Sequence, residues 1–165
     1  MQDNEGDQLE WRDTYFILFQ QSARPTLTQV EAVISDASPR LKLENLEADE
    51  DGMFASVLVQ APQDNAALEI SYETGDAVIQ QSAELAKQLK GDLNGDQLAQ
   101  MLRSDARLDV MLFEKVREGA WGDQDEEEDW ESGGLDPSSL LGVVEALAKL
   151  TDGLPIDPAS GSVMS

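Results

Sequence analysis

The side chains of this chain that could take part in chemistry are almost all carboxylates. Its 165 residues include 34 aspartates and glutamates against 11 lysines and arginines, which gives a formal net charge of −23, and they include no histidine and no cysteine. An imidazole base, a thiolate nucleophile and a zinc site built on nitrogen or sulfur ligands are therefore excluded. What remains is carboxylate chemistry with a hard divalent cation, or a function without catalysis.

One spacing of oxygen-bearing residues resembles the opening of an EF-hand calcium loop. Asp92, Asn94 and Asp96 stand at alternate positions, as the first ligands of such a loop do. The sixth position of that motif requires glycine and is Gln97 here, and the twelfth requires an acid and is Arg103. The pattern therefore favours a polar connection between two helices, in which Asn94 or Asp96 is the N-cap.

A second group of carboxylates lies in the turn formed by Glu47, Asp49, Glu50 and Asp51. Such residues hold Mg²⁺ or Ca²⁺ only if they converge, whereas in an exposed hairpin turn they splay apart and are solvated. The sequence contains no phosphate-binding glycine loop and no Gly-x-Ser-x-Gly motif. We therefore expect no cofactor, favour a non-catalytic protein over an enzyme, and leave any metal ligands unknown.

The third candidate site is an acidic segment between two tryptophans. Charges on such a segment steer the encounter with a basic partner, and the indole rings anchor it. The alternative is a flexible linker whose tryptophans pack back onto the parent domain. The predicted partner-docking residues are Trp121, Asp125, Glu126, Glu127, Glu128, Asp129 and Trp130.

The elements that must position these residues follow from hydrophobic periodicity. The pattern predicts the order β-α-β-β-β-α-(α)-β, then an acidic linker and a final helix. This order indicates an α+β fold with a mostly antiparallel sheet and helices on one face, ferredoxin-like with an added strand, plus a C-terminal helix. The predicted organisation is a disordered leader (1–10), an α+β domain (11–117), a flexible acidic linker (118–134) and a C-terminal helix with an irregular tail (135–165).

The balance of charge indicates what kind of partner the protein has. Residues 1–117 alone contain 22 acidic and 10 basic side chains, so the domain is acidic even without the linker. Such a surface repels nucleic acid and anionic membranes and attracts basic proteins. We therefore predict a cytoplasmic regulatory protein that docks a basic protein partner. The alternative is a domain that is acidic through adaptation to a saline medium and that has a small-molecule or carboxylate–cation active site.

The final helix, predicted over residues 137–151, leaves the oligomeric state open. Its apolar residues cover more than one narrow stripe, which is typical of a helix that is buried on several sides. It either completes the core of its own domain or forms a dimer by self-association.

Overall fold

The computed structural model describes residues 8–61, 66–116, 138–158 and 162–163 of the chain. Its strands are β1 (Gln8–Phe19), β2 (Lys42–Ala48), β3 (Phe54–Ala61), β4 (Ala66–Thr74), β5 (Ala106–Val116), β6 (Leu154–Asp157) and β7 (Ser162–Val163). Its α-helices are α1 (Leu27–Ala37), α2 (Asp76–Leu89), α3 (Gly95–Arg103) and α4 (Ser138–Thr151). Short 3₁₀ turns lie at Gln21–Ala23 and Lys90–Asp92.

The described strands form one sheet in the order β2-β3-β4-β5-β1-β6-β7, and every neighbouring pair is antiparallel. The predicted α+β class with a mostly antiparallel sheet is therefore confirmed. The strands β2, β3 and β4 form a meander, and β1 and β5 are internal strands. Three strands separate β1 from β2, the strand that follows α1. The more specific ferredoxin-like arrangement is not confirmed.

The main core lies between one face of the sheet and the pair formed by α1 and α4. Alternate residues of β1, including Ile17 and Phe19, point into this core together with Val30 and Ile34 of α1. The helix α4 contributes five buried residues to the same core: Leu140, Val143, Val144, Leu147 and Ala148. Of the two alternatives that the sequence left open for this helix, it completes the core of its own domain.

The prediction that the helices lie on one face of the sheet is wrong. A second apolar cluster on the opposite face joins Leu18 of β1 and Ile156 of β6 to Ala86 and Leu89 of α2 and to Met101 of α3. The physical reason is that successive residues of a strand point to opposite faces, and β1 is apolar on both of them. The helices α2 and α3 are needed to remove the second apolar face from water.

The start of α1 shows how closely local sequence sets an element in this chain. The Thr26 hydroxyl accepts a hydrogen bond from the Gln29 backbone N–H at 3.1 Å, and the Gln29 side-chain oxygen accepts one from the Thr26 N–H at 2.9 Å. This reciprocal capping box satisfies two donors that the helix itself cannot pair. The helix α1 therefore begins at Leu27, directly after its N-cap.

The residues after α4 were predicted to be irregular, and this too is wrong. Leu154 and Ile156 are buried, and β6 pairs with β1 in the register Phe16 with Ile156 and Leu18 with Leu154. Gly153 makes this close approach to β1 feasible. A Cβ atom at Gly153 would lie 2.8 Å from Cγ2 of Ile17 and 2.9 Å from the Leu18 carbonyl oxygen, both closer than atoms normally pack.

The phenol of Tyr15, which faces the main core, gives a test of this packing. Burial raises its pKa to about 12, and the negative charges of Asp13 and Asp157 add to the shift. The pKa of the folded state is above the unfolded value of 10, so the neutral phenol stabilises the fold below pH 10, and the stabilisation is lost as the pH rises from 10 through 12.

Over that pH range the free energy of unfolding of the unmodified protein should fall by roughly 2 to 3 kcal/mol. We expect this fall to be absent in Tyr15→Phe. Near-ultraviolet absorbance of the phenolate measures the titration directly, because the chain contains only two tyrosines. The absorbance step near pH 12 should disappear in Tyr15→Phe and persist in Tyr72→Phe. A step that disappears in Tyr72→Phe instead would assign the raised pKa to Tyr72 and contradict the burial of the Tyr15 phenol.

Candidate interaction surface

The acidic segment predicted to dock a partner, residues 121–130, lies outside the described residues. Its role therefore stays a prediction. The other candidate sites lie within the described part of the chain, where their side-chain contacts can be examined.

The segment that resembles a calcium loop is a helix cap. The side-chain oxygen of Asn94 accepts a hydrogen bond from the Gln97 N–H at 2.7 Å, and the Gln97 side chain accepts one from the Asn94 N–H at 3.1 Å. This capping box begins α3, as the alternative interpretation of the sequence predicted. The oxygen that would be a metal ligand is thus occupied by the backbone of its own helix.

The acidic turn between β2 and β3 is also held by internal contacts. One carboxylate oxygen of Asp49 accepts hydrogen bonds from the backbone N–H groups of Asp51 and Met53, at 2.9 and 3.0 Å, and the other lies 3.1 Å from Arg24. These hydrogen bonds, that of Met53 above all, lower the pKa of Asp49, and the positive charge of Arg24 adds to the effect. Glu50 and Asp51 are exposed, so the turn is a solvated hairpin end fastened by one aspartate.

The described residues contain no group of three or more acidic side chains placed to hold a metal ion. They do form a pocket of about 250 Å³ where the ends of β1, α3 and α4 meet. Its lining is polar and includes a single carboxylate, that of Asp152, together with the guanidinium of Arg103. The pair of converging carboxylates that the enzyme hypothesis requires is not present in this pocket.

Four exposed glutamates lie on the half of the sheet that faces away from α1 and α4. The register of β2, β3, β4 and β5 places Glu44 beside Leu58, Leu58 beside Glu69, and Glu69 beside Met111. The next row along the strands holds Glu47, Ser56, Ser71 and Asp109, and Glu73 lies one row further. We call the surface made by Glu44, Glu47, Leu58, Glu69, Glu73 and Met111 the acidic face.

Two hydrogen bonds fix the outer side chains of the acidic face. The Gln60 amide donates to Glu44 and the Ser56 hydroxyl donates to Glu47, each at 3.2 Å. The four glutamates are exposed, whereas Leu58 and Met111 are only half-buried. The register places one exposed cation beside them, Lys42, opposite Gln60. The acidic face therefore combines apolar contact area with an excess of negative charge.

A buried arginine, Arg107, lies at the edge of the acidic face beneath α2. It is 9% exposed, pairs with the Asp109 carboxylate and donates a hydrogen bond to the Gln81 side chain of α2. Its guanidinium carbon lies 4.5 Å from the ring centre of Phe16. Because this cation is fully used by its neighbours, it does not neutralise the exposed glutamates.

The protein was compared with known proteins at three levels. Neither the family models, nor the curated proteins, nor the solved structures gave a match. None of the helices in the described ranges is both long and apolar enough to cross a membrane.

Sequence reasoning missed the acidic face as a site, although one signal for it was present. The alternation of Leu68, Ile70 and Tyr72 with polar residues indicates a strand with one wet face, and β4 has that face. The sequence does not show that Glu44 and Glu47 of β2 lie on the same surface, because this depends on the strand order and on the irregular register of β2.

Proposed function

We propose that this protein is a non-catalytic binding protein that docks a basic protein partner on the acidic face. The observation that carries the proposal is the gathering of four exposed glutamates around half-buried Leu58 and Met111 on a single surface. By contrast, the acidic residues of α1 and α4 in the described ranges are Glu31, Asp36 and Glu145, on the far side of the molecule.

This arrangement suits a partner segment that is both basic and amphipathic. Carboxylates at the rim of an interface accelerate encounter with a positively charged partner and select against acidic ones, while apolar residues at its centre provide the contact area. The acidic segment at residues 121–130 carries the same sign of charge as the acidic face. We include that segment in the proposal as a second docking element for the same basic partner.

The test uses a synthetic peptide of about twelve residues with arginine and leucine at helical spacing, a form that grooves and faces commonly bind. Amide chemical shifts of the isotope-labelled protein should change along β2, β3, β4 and β5 when the peptide is added at low salt. The effect should disappear in about 1 M salt, where charges are screened beyond about 3 Å.

Two triple variants with the same change in net charge separate the acidic face from general electrostatics. We expect Glu44→Gln/Glu47→Gln/Glu69→Gln to weaken peptide binding at least tenfold, about 1.4 kcal/mol, because it neutralises the acidic face. The control, Glu31→Gln/Asp36→Asn/Glu145→Gln, should bind almost as the unmodified protein does. Equal weakening in both variants would contradict docking on this face.

A second candidate function is the binding of a small molecule in the pocket beside Arg103 and Asp152. The opposite charges and polar lining of that pocket favour a small polar ligand. In this case the acidic surface is an adaptation to a saline medium. The free energy of unfolding should then rise in molar salt, and the basic peptide should leave the amide shifts of the acidic face unchanged.

A further inference from the structure

Trp11 lies at the end of the sheet next to the acidic face and is unusually exposed. Its side chain is 57% exposed, although tryptophan is the largest apolar residue of proteins. It pairs across the strands with Phe113, the residue two positions after Met111 on the same side of β5. The ring is held in place, because its Nε1–H donates to the Thr14 hydroxyl at 2.8 Å.

An irregularity in β1 directs this ring toward the side of the acidic face. The register between β1 and β5 shifts between Trp11 and Asp13, so that Trp11 pairs with Phe113 and Thr14 pairs with Met111. In a regular strand, residues three apart point to opposite sides, but the extra residue of a bulge places them on the same side. The bulge therefore orients the indole, and its bond to Thr14 depends on the bulge.

Because the indole is exposed, it offers an aromatic surface to a cation. Its only hydrogen-bond donor is already used, so the ring itself is what a partner can contact. The neighbouring Arg12 does not cover it, because its guanidinium binds Glu114 and lies 3.4 Å from Glu10. Elsewhere the chain stacks arginine on aromatic rings: Arg24 lies 4.0 Å from the ring centre of Tyr72, and Arg107 lies over Phe16.

We propose that Trp11 binds an arginine side chain of the basic partner by stacking under its guanidinium. This inference rests on the proposed function, and it names the residue that gives the acidic face its preference for arginine. A planar guanidinium is less strongly hydrated than an ammonium and stacks on an aromatic ring, so arginine is favoured over lysine. Glu69, two strands across the sheet and two residues along it, roughly 12 Å away, would meet the next basic residue of the partner.

The experiment uses the fluorescence of Trp11 in the full chain. The chain contains three tryptophans, so emission is measured in Trp121→Phe/Trp130→Phe, which leaves Trp11 as the only one. Affinities are measured by amide shifts in the chain that keeps Trp121 and Trp130, because these two residues belong to the second docking element. The probes are the arginine–leucine peptide described above and the same peptide with lysine at every arginine position, neither of which contains an aromatic residue. We expect the arginine peptide to change the Trp11 emission and to bind several-fold more tightly than the lysine peptide.

Substitution of Trp11 distinguishes the anchor from the rest of the surface. Trp11→Ala should weaken binding of the arginine peptide by roughly five- to tenfold, and Trp11→Phe should weaken it less, because a smaller aromatic ring stacks less strongly. The matched control is Leu102→Ala, which removes an apolar side chain that is also 57% exposed, on a helix that packs against β1 and β6. Amide spectra of both variants verify that the sheet is intact.

The outcomes separate this inference from the proposed function. One outcome is that the peptides bind, that the triple glutamate variant loses binding and that Trp11→Ala keeps it. In that case the role of Trp11 is overturned and the proposed function stands. If lysine and arginine peptides bind equally and leave the Trp11 emission unchanged, the same conclusion follows. If neither peptide binds the unmodified protein at low salt, both are overturned.

Discussion

Replacement of Leu147 by alanine is expected to lower the free energy of unfolding by about 3 kcal/mol. Leu147 is fully buried in the main core, where α4 packs with α1 against the sheet. The loss combines the apolar surface no longer removed from water with the cavity left between elements that cannot collapse onto it. Urea denaturation measures the change through the shift of the transition midpoint.

The control for Leu147 is Glu145→Ala, which changes an exposed residue of the same helix. It should alter the free energy of unfolding by less than about 0.5 kcal/mol. The unfolding midpoint of the unmodified protein should also be independent of protein concentration, since α4 packs within its own domain. A midpoint that rises with concentration would show that the fold requires self-association, and a small effect of Leu147→Ala would contradict its place in the core.

Replacement of Arg107 by leucine should cost about as much as the change at Leu147, roughly 3 kcal/mol, for an electrostatic reason. The variant leaves the Asp109 carboxylate partly buried without its ion pair, and the Gln81 side chain without its donor. Breaking a buried pair from one side is costly because the remaining charge has lost its compensation, whereas removing both partners is often tolerated.

The double variant Arg107→Leu/Asp109→Leu is therefore expected to recover more than half of the stability that Arg107→Leu loses. Arg103→Leu is the matched control, because Arg103 is an exposed arginine at the end of α3. Urea unfolding of the unmodified protein, Arg107→Leu, Asp109→Leu and the double variant gives the coupling energy of the pair. A double variant that is less stable than Arg107→Leu alone would show that the apolar contacts of Arg107, not its charge, are important here.

The local elements of this fold were predictable because their signals lie within a few neighbouring residues. The capping pair Thr26 and Gln29 marks the start of α1, and the apolar positions of α2 keep helical spacing to Leu89. The arrangement of the elements was less predictable. Leu154 and Ile156 form too short an alternation to indicate a strand, and they become one only because β1 lies beside them.

The two faces of the sheet illustrate the same limit. The apolar run of β1 from Tyr15 to Phe19 indicates burial on both sides, yet it does not show which helices cover which side. The acidic face depends on contacts between residues from different strands, such as Glu44 with Leu58 and Glu69 with Met111. Strand order, which single-sequence patterns do not encode, brings these side chains together.

The position of β1 has a consequence for how the chain folds. All of its partners are distant in sequence: Phe19 pairs with Ala106, Gln8 with Val116, and Phe16 with Ile156. The meander of β2, β3 and β4 has short connections and can form early, whereas β1 pairs only after two long loops have closed. We therefore expect slow folding, with an intermediate in which β1 is unpaired and prone to aggregate.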